Sequence, residues 1–296
     1  MNGAYWRLIR GGNTLVGAST VIVGALLVRT ELSIVEIILI LMHAFCVAFF
    51  MAAWNAFNDI QDAGIDAINH PERPIPNGDL TEIQAKAMGR AMFLLSIITL
   101  LGAMTTAALK TTYIVDWLPS IGIWFIAFLL MFHYEMVIPA SFMLKHKGLA
   151  GNIAVSALVG IVIVFGAAAI GSWNNPLVWM VATVAMLVNS AREIIKDIED
   201  EEGDSDRETL PKKIGPEMSR SIAQLLVVIS LIPLVAPYAR GYLEQGLIIL
   251  QIPAILTLIS VKPKLYRGED HSSQRSLRVA MILGVSGFLI SAIIGH

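Results

Sequence analysis

The sequence predicts an all-α fold, a polytopic membrane bundle of nine transmembrane helices in two pseudo-repeated halves around a central apolar chamber. Three observations predict it. Hydrophobic residues fill 56% of the 296 positions and charged residues only 15%, where a soluble domain carries roughly 25% charge, so lipid is the expected solvent. Apolar stretches of about 17 to 25 residues, the length that crosses a hydrocarbon core, recur along the whole chain. The third observation is a repeat: Asp59, Asp62 and Asp66 are spaced three and then four apart, and Asp197, Asp200 and Asp204 reproduce that spacing 138 positions later.

In order, the nine spans fall at about 13–28, 34–57, 85–109, 114–137, 149–171, 176–196, 217–237, 242–261 and 276–294. The first follows Arg7 and Arg10, contains polar interruptions and shows no small-residue cleavage site, so it reads as a span and not as a cleavable signal. The end of the fourth is blurred by His133, Tyr134, Glu135 and Pro139. In the fifth, Gly151, Gly160, Gly166 and Gly171 read as sites of close helix packing. The 13 methionines read as filler of irregular gaps. Trp6, Trp54, Trp117, Trp173 and Trp179 lie near span ends, where an interfacial belt accounts for them. The single cysteine, Cys46, rules out an intramolecular disulfide and reads as core packing. One membrane domain covers 1–296. Its first half, about 1–137, carries the acidic motif 58–66, and its second, about 138–296, carries the motif 197–204.

Charge sets the orientation. With nine spans, 18 of the 21 basic residues fall on the side of the N-terminus, and only Arg29, Lys110 and Arg240 fall on the other. The positive-inside rule then makes the N-terminus cytoplasmic in a multi-pass protein of the cell membrane. Both acidic motifs begin where an even-numbered span ends, so both face the cytoplasm.

On one helix, positions i, i+3 and i+7 share a face. Three carboxylates crowded there repel one another unless positive charge lies between them. Each motif is followed by a polar connection with basic residues and prolines, N-H-P-E-R-P-I-P-N-G at 69–78 and D-R-E-T-L-P-K-K-I-G at 206–215. Hard divalent cations take oxygen ligands, and Mg²⁺ combines one or two carboxylates with water and substrate phosphate. A pyrophosphate between two such clusters would be bridged by metal, with Arg and Lys neutralising the remaining charge. The apolar bundle beneath gives the expected ligand a long hydrocarbon tail.

These residues resemble a known family. Asn58-Asp59-x-x-Asp62-x-x-x-Asp66 with Arg73-Pro74-x-Pro76-x-Gly78, and Asp197-x-x-Asp200-x-x-x-Asp204 with Thr209-Leu210-Pro211, are similar to the two signatures of the UbiA superfamily of intramembrane prenyltransferases, over essentially the whole chain. The segment from Arg192 to Asp204, Leu8-Ile9-Arg10-x-x-Asn13 and Gly151-Asn152 most resemble its archaeal digeranylgeranylglyceryl phosphate synthases. The resemblance implies transfer of a geranylgeranyl group from its diphosphate to geranylgeranylglyceryl phosphate, with a prenyl diphosphate donor, a lipid-like phosphate acceptor, membrane lipids as surroundings, and Mg²⁺ as cofactor. It implies Asp59, Asp62, Asp66, Asp197, Asp200 and Asp204 as metal ligands, with Asp62 and Asp200 central to catalysis. Asn55 and Asn58 would orient ligands or phosphate oxygens. Arg73, Lys145, Lys147, Lys212 and Lys213 would contact phosphate, and Arg10 and Asn13 the acceptor side. Glu193, one turn before Asp197, is a candidate for accepting the hydroxyl proton, with Glu199 equally available in sequence. The chain departs from the family pattern in two places: Ser141 stands four residues before Lys145 where relatives carry tyrosine, and Gly11 follows Arg10 where relatives often have proline, an exchange expected to loosen the start of the first span.

Alternative readings stay open at this stage. Either acidic run alone would be a solvated helix end, and most basic residues, Lys262, Lys264 and Arg267 among them, would be explained by positive-inside bias and lipid headgroups. Intramembrane acids with internal duplication also occur in secondary transporters, although there the ionisable groups sit near the midplane. An aromatic or quinone-precursor prenyltransferase would use the same donor chemistry. No His/Cys pattern suggests zinc, and nothing points to nucleic acid.

Overall fold

The computed structural model describes residues 2–110, 113–200 and 208–295. Among these residues all regular structure is helical: α1 Asn2–Leu8, α2 Gly11–Leu26, α3 Ile34–Gln61, α4 Ala63–Asn69, α5 Glu82–Lys110, α6 Leu118–Glu135, α7 Leu149–Ala168, α8 Pro176–Glu199, α9 Leu210–Ile214, α10 Pro216–Ala239, α11 Ile252–Ile259, α12 Val261–Tyr266 and α13 Asp270–Ile294. Among the described residues, eight segments are long and apolar enough to cross a membrane, one of them the run Gln245–Tyr266 that includes α11 and α12. These make the chain a multi-pass membrane protein. The expected first span is present as a shorter apolar helix, α2, which with these eight makes up the bundle among the described residues. α2 has 16 residues, about 24 Å at 1.5 Å per residue, against a hydrocarbon core of about 30 Å. The helix is interrupted at Ile9 and Arg10 before α2 begins.

Local sequence sets the helix limits. Ser33 and Glu36 form a reciprocal capping box that starts α3, and Asn175 caps α8 ahead of Pro176. Arg29 pairs with the buried Glu36, and Lys110 Nζ lies 3.3 Å from the same carboxylate. This cluster gathers two of the three basic residues assigned to the far side.

Small residues let the helices approach closely. A Cβ on Gly24 would lie 2.1 Å from the Ile163 carbonyl oxygen, and one on Gly166 would lie 2.0 Å from that of Val21. α2 and α7 therefore touch backbone to backbone. Gly160 meets the Ala182 carbonyl of α8 in the same way, at 2.6 Å. Gly151 instead packs under the Leu144 carbonyl in the loop before α7, and Gly171, with φ +73°, lies just beyond that helix. α8 is the most enclosed span, with 61% of its apolar window buried against 17% for α6. It packs on α7, α10 and α13.

Several polar groups inside are partnered, as an apolar surround favours, while Trp54 Nε1, Trp117 Nε1, Gln224 Oε1 and Gln251 Oε1 have no hydrogen-bond partner among the described residues. His43 bonds the Leu39 carbonyl and Ser120 Oγ, Asn189 donates to Ser156, and Gln251 donates to Tyr238 and to the Gly284 carbonyl. Cys46 is buried and free, as expected of a packing residue. Trp54 departs from the belt reading. It is 5% exposed and packs edge-on against Phe57, with Phe50 and Phe128 nearby. It belongs to an aromatic wall shared by α3, α5 and α6, because the helix carries it inward from the interface.

Candidate active site

The site begins at the break between α1 and α2. Arg10 has φ 48° and ψ 53°, left-handed for a residue that is not glycine, at a cost of about 1–3 kcal/mol. Asn55 Nδ2 and Thr14 Oγ1 both donate to the Ile9 carbonyl, at 2.9 and 2.7 Å, and hold the turn in place. The Trp6 ring lies only 2.3 Å from where a Gly11 Cβ would be. Gly11 therefore tightens this turn, contrary to the loosening expected from its replacing proline. The strained backbone turns the Arg10 guanidinium to α3, where Nη2 donates to Asn58 Oδ1 at 2.7 Å and Asp59 Oδ1 at 2.8 Å.

The first acidic motif does not lie on one helical face. α3 ends at Gln61, Asp62 caps it with φ −87° and ψ 1°, and Asp66 belongs to the separate helix α4. The carboxylates divide accordingly. Asp59 and Asp66, both buried, turn to Arg73: Asp66 pairs with it directly and Asp59 Oδ1 lies 3.7 Å from its Nη1. The loop presents Arg73 through backbone bonds from Arg73 N to the His70 carbonyl and from Leu80 N to the Pro74 carbonyl. Asp62 turns the other way, to Lys145 Nζ at 2.7 Å.

A fourth carboxylate, which sequence reading did not select, completes this cluster. Glu135 ends α6, and its side chain is 2% exposed. It accepts from Asn58 Nδ2 at 2.9 Å and Lys145 Nζ at 2.8 Å, while Asn58 Nδ2 also reaches Asp62 Oδ2 at 3.0 Å. The signal in the sequence was a charged residue in the last turn of an otherwise apolar span, which usually marks function. Four carboxylates thus face Arg10, Arg73 and Lys145, leaving a formal charge of −1.

In the second motif, Asn152 Nδ2 donates to Asp197 Oδ2 at 2.9 Å. Asp200 caps α8. Glu193 accepts from Arg192 at 2.6 Å, with Lys196 Nζ 3.9 Å away. Glu199 faces elsewhere, towards Gln274 and His271 of α13, which separates it from Glu193. Asp204 lies outside the described residues. Beyond them, Thr209 is 3% exposed and its Oγ1 has no hydrogen-bond partner among the described residues.

The connection between α6 and α7 joins the two motifs. Lys145 extends from it into the first, and Gly148, with φ +51°, lets the second approach: a Cβ there would be 3.0 Å from the Glu208 carbonyl oxygen and 3.1 Å from Leu210 N. Where the resemblance led to the expectation of a tyrosine, buried Ser141 accepts from Met143 N at 3.1 Å and shapes this connection. Asn13, Lys147 and Lys212 are exposed, and Lys213 pairs with exposed Glu208 at 2.8 Å.

Chemically, the donor set is carboxylate and amide oxygen, which suits a hard cation and excludes a soft one. Among the described residues no three such side chains converge as a preformed metal cage, because each carboxylate of the first motif is turned to an internal cation. The acids sit at the ends of α3, α6 and α8, not at mid-span as a transporter's would.

Comparison with known proteins agrees with this architecture. Residues 18–292 match the UbiA prenyltransferase family. The chain is 32% identical to digeranylgeranylglyceryl phosphate synthase of Methanopyrus kandleri, over 97% of this chain and 98% of that one. A solved structure described as giving structural and mechanistic insights into the biosynthesis of digeranylgeranylglyceryl phosphate synthase in membranes superposes with a TM-score of 0.77, 27% identity, and coverage of 99% and 98%. A UbiA homologue from Archaeoglobus fulgidus, bound to DMAPP and Mg²⁺, superposes with a TM-score of 0.61 and 14% identity over 98% and 99% of the two chains. That last likeness is one of fold.

Proposed function

Because the chain belongs to the UbiA prenyltransferase family, we propose that it transfers a geranylgeranyl group from geranylgeranyl diphosphate to geranylgeranylglyceryl phosphate, releasing pyrophosphate. The observation that carries this reading is near-full-length similarity to a digeranylgeranylglyceryl phosphate synthase, 32% identical over 97% of the chain. Asp59, Asp62, Asp66, Asp197 and Asp200, with Asp204, are the residues that would hold Mg²⁺. When bound, magnesium supplies positive charge against the diphosphate oxygens.

The chain's own groups do the rest. Arg73 and Lys145 rest on carboxylates, so the cost of enclosing them is already met by the fold, and they exchange those partners for the oxygens of departing pyrophosphate. Asn58 and Glu135 hold Lys145 and Asp62 in register for that exchange. Asn55 acts at one remove, by fixing the Arg10 turn. As the bond between C1 and the diphosphate oxygen breaks, the acceptor hydroxyl oxygen bonds to C1 and its proton passes to a carboxylate. Glu193 is the residue assigned to take it, oriented by Arg192 and Lys196. Exclusion of water by the surrounding apolar helices protects the allylic cation from hydrolysis. The site faces the cytoplasm, a reading supported by the 18 basic residues assigned to that side.

An acceptor panel on purified protein tests the reading. Geranylgeranyl diphosphate is offered with geranylgeranylglyceryl phosphate, 4-hydroxybenzoate or a naphthoate, and prenylation of the glyceryl phosphate is expected. Prenylation of an aromatic acceptor alone would overturn it.

A further inference from the structure

Away from the acidic site, an open polar depression of about 400 Å³ lies between α11–α12 and the start of α13. Ser272, Arg275, Ser276 and Val279 line it from α13, at i, i+3, i+4 and i+7, so one face of that helix looks into it. Thr257 of α11, Ser260 at the break between α11 and α12, and Lys264 of α12 line it from the other side. No carboxylate lines it. Lys264 Nζ donates to Ser276 Oγ at 2.6 Å, which anchors the ammonium at the cavity wall. Arg275 is exposed and forms no ion pair among the described residues. The acids nearest in sequence have other partners: Glu269 pairs with Arg267, whose hydrogen bond, with a smaller contribution from the charge of Lys264, holds that carboxyl below its ordinary range, and Asp270 pairs with Arg220.

This cavity is not part of the acidic site. Gln274 and His271, on the same turn of α13, face Glu199 of α8, so the helix stands between the two. Two cations, hydroxyl groups and no acid make a receptor for an oxyanion. Below it, Leu256 and Ile259 of α11 and Ile282 of α13 are exposed apolar side chains on the flank of the bundle, where an acyl or isoprenoid tail would lie.

We propose that this cavity binds a phosphate group, carried by an anionic membrane lipid, with Lys264 and Arg275 as its charged contacts. The cluster Lys262, Lys264 and Arg267 thereby gains one residue with a defined pocket, beyond general attraction to headgroups.

Native mass spectrometry of the full chain in detergent tests this, with dioleoylphosphatidic acid or dioleoylphosphatidylcholine titrated in and inorganic phosphate added as competitor. Phosphatidic acid is expected to bind more tightly than phosphatidylcholine, and R275Q and K264Q are each expected to weaken it by roughly tenfold, the loss of one charge-assisted hydrogen bond. R275Q is the decisive variant, because Arg275 supports no other side chain among the described residues. R278Q, which removes an equal charge outside the cavity, and R73Q, which removes one from the acidic site, are expected to leave binding unchanged. Displacement by millimolar inorganic phosphate keeps the phosphate site and makes its source soluble; resistance to it assigns the site to the lipid. Wild-type affinity in R275Q, or an equal loss in R278Q or R73Q, would overturn the proposal.

Discussion

Asp62 and Asp200, 138 positions apart, end α3 and α8 in the same backbone conformation, with φ −87° in both and ψ 1° and 2°. Each amide donates at 2.9 Å to the carbonyl four residues earlier, that of Asn58 or Lys196. The chain thus delivers one carboxylate at each helix terminus in the same local way. Asp62→Asn and Asp200→Asn are each expected to lower turnover by at least about 100-fold, the scale on which a single preorganised electrostatic contact acts, with far-UV circular dichroism unchanged. Normal turnover in either variant would remove that residue from the site.

Glu135 and Lys145 should be energetically coupled. Both side chains are under a tenth exposed, and removing one partner of a buried pair costs about 3–5 kcal/mol. Thermal unfolding of E135Q, K145M and the double variant is expected to give a coupling energy of about 1–3 kcal/mol. Additive losses would mean that the pair is not a unit.

Magnesium should be required. Chelation is expected to abolish transfer and added Mg²⁺ to restore it, and D197N should raise the Mg²⁺ needed for half-maximal rate by about tenfold or more, as loss of a metal-site group does. Activity that survives thorough chelation would sink the metal assignment.

Packing makes its own prediction. Gly166→Val should prevent folding, since even a Cβ would meet the Val21 carbonyl oxygen at 2.0 Å, whereas Gly12→Ala, with nothing within 4 Å, should be neutral. The yield of monodisperse protein on size exclusion distinguishes the two.

The spans were legible because apolar length is written directly in composition, and the acidic motifs because their spacing repeats. Hidden from that reading was what depends on the path of the backbone. The i, i+3, i+7 argument placed Asp62 on the face of Asp59, but the helix stops at Asp62 and the two carboxylates part to different cations. Glu135 was visible as an oddity at the end of a span, yet only folding brings it beside Asn58 and Lys145, 77 and 10 positions away. Gly11 was judged by the missing proline, when the deciding neighbour is the ring of Trp6.

The crossing of α2 and α7 limits how this protein can move. A joint made of side chains can slip by exchanging rotamers, but one made of carbonyl oxygen against glycine has none to exchange, and a small rotation drives backbone into backbone. The joint is a weld, not a hinge. Rotation of α2 against α7 is therefore costly at this crossing, whereas α6, with 17% of its apolar window buried, is the least enclosed of the spans and the one with the fewest such constraints.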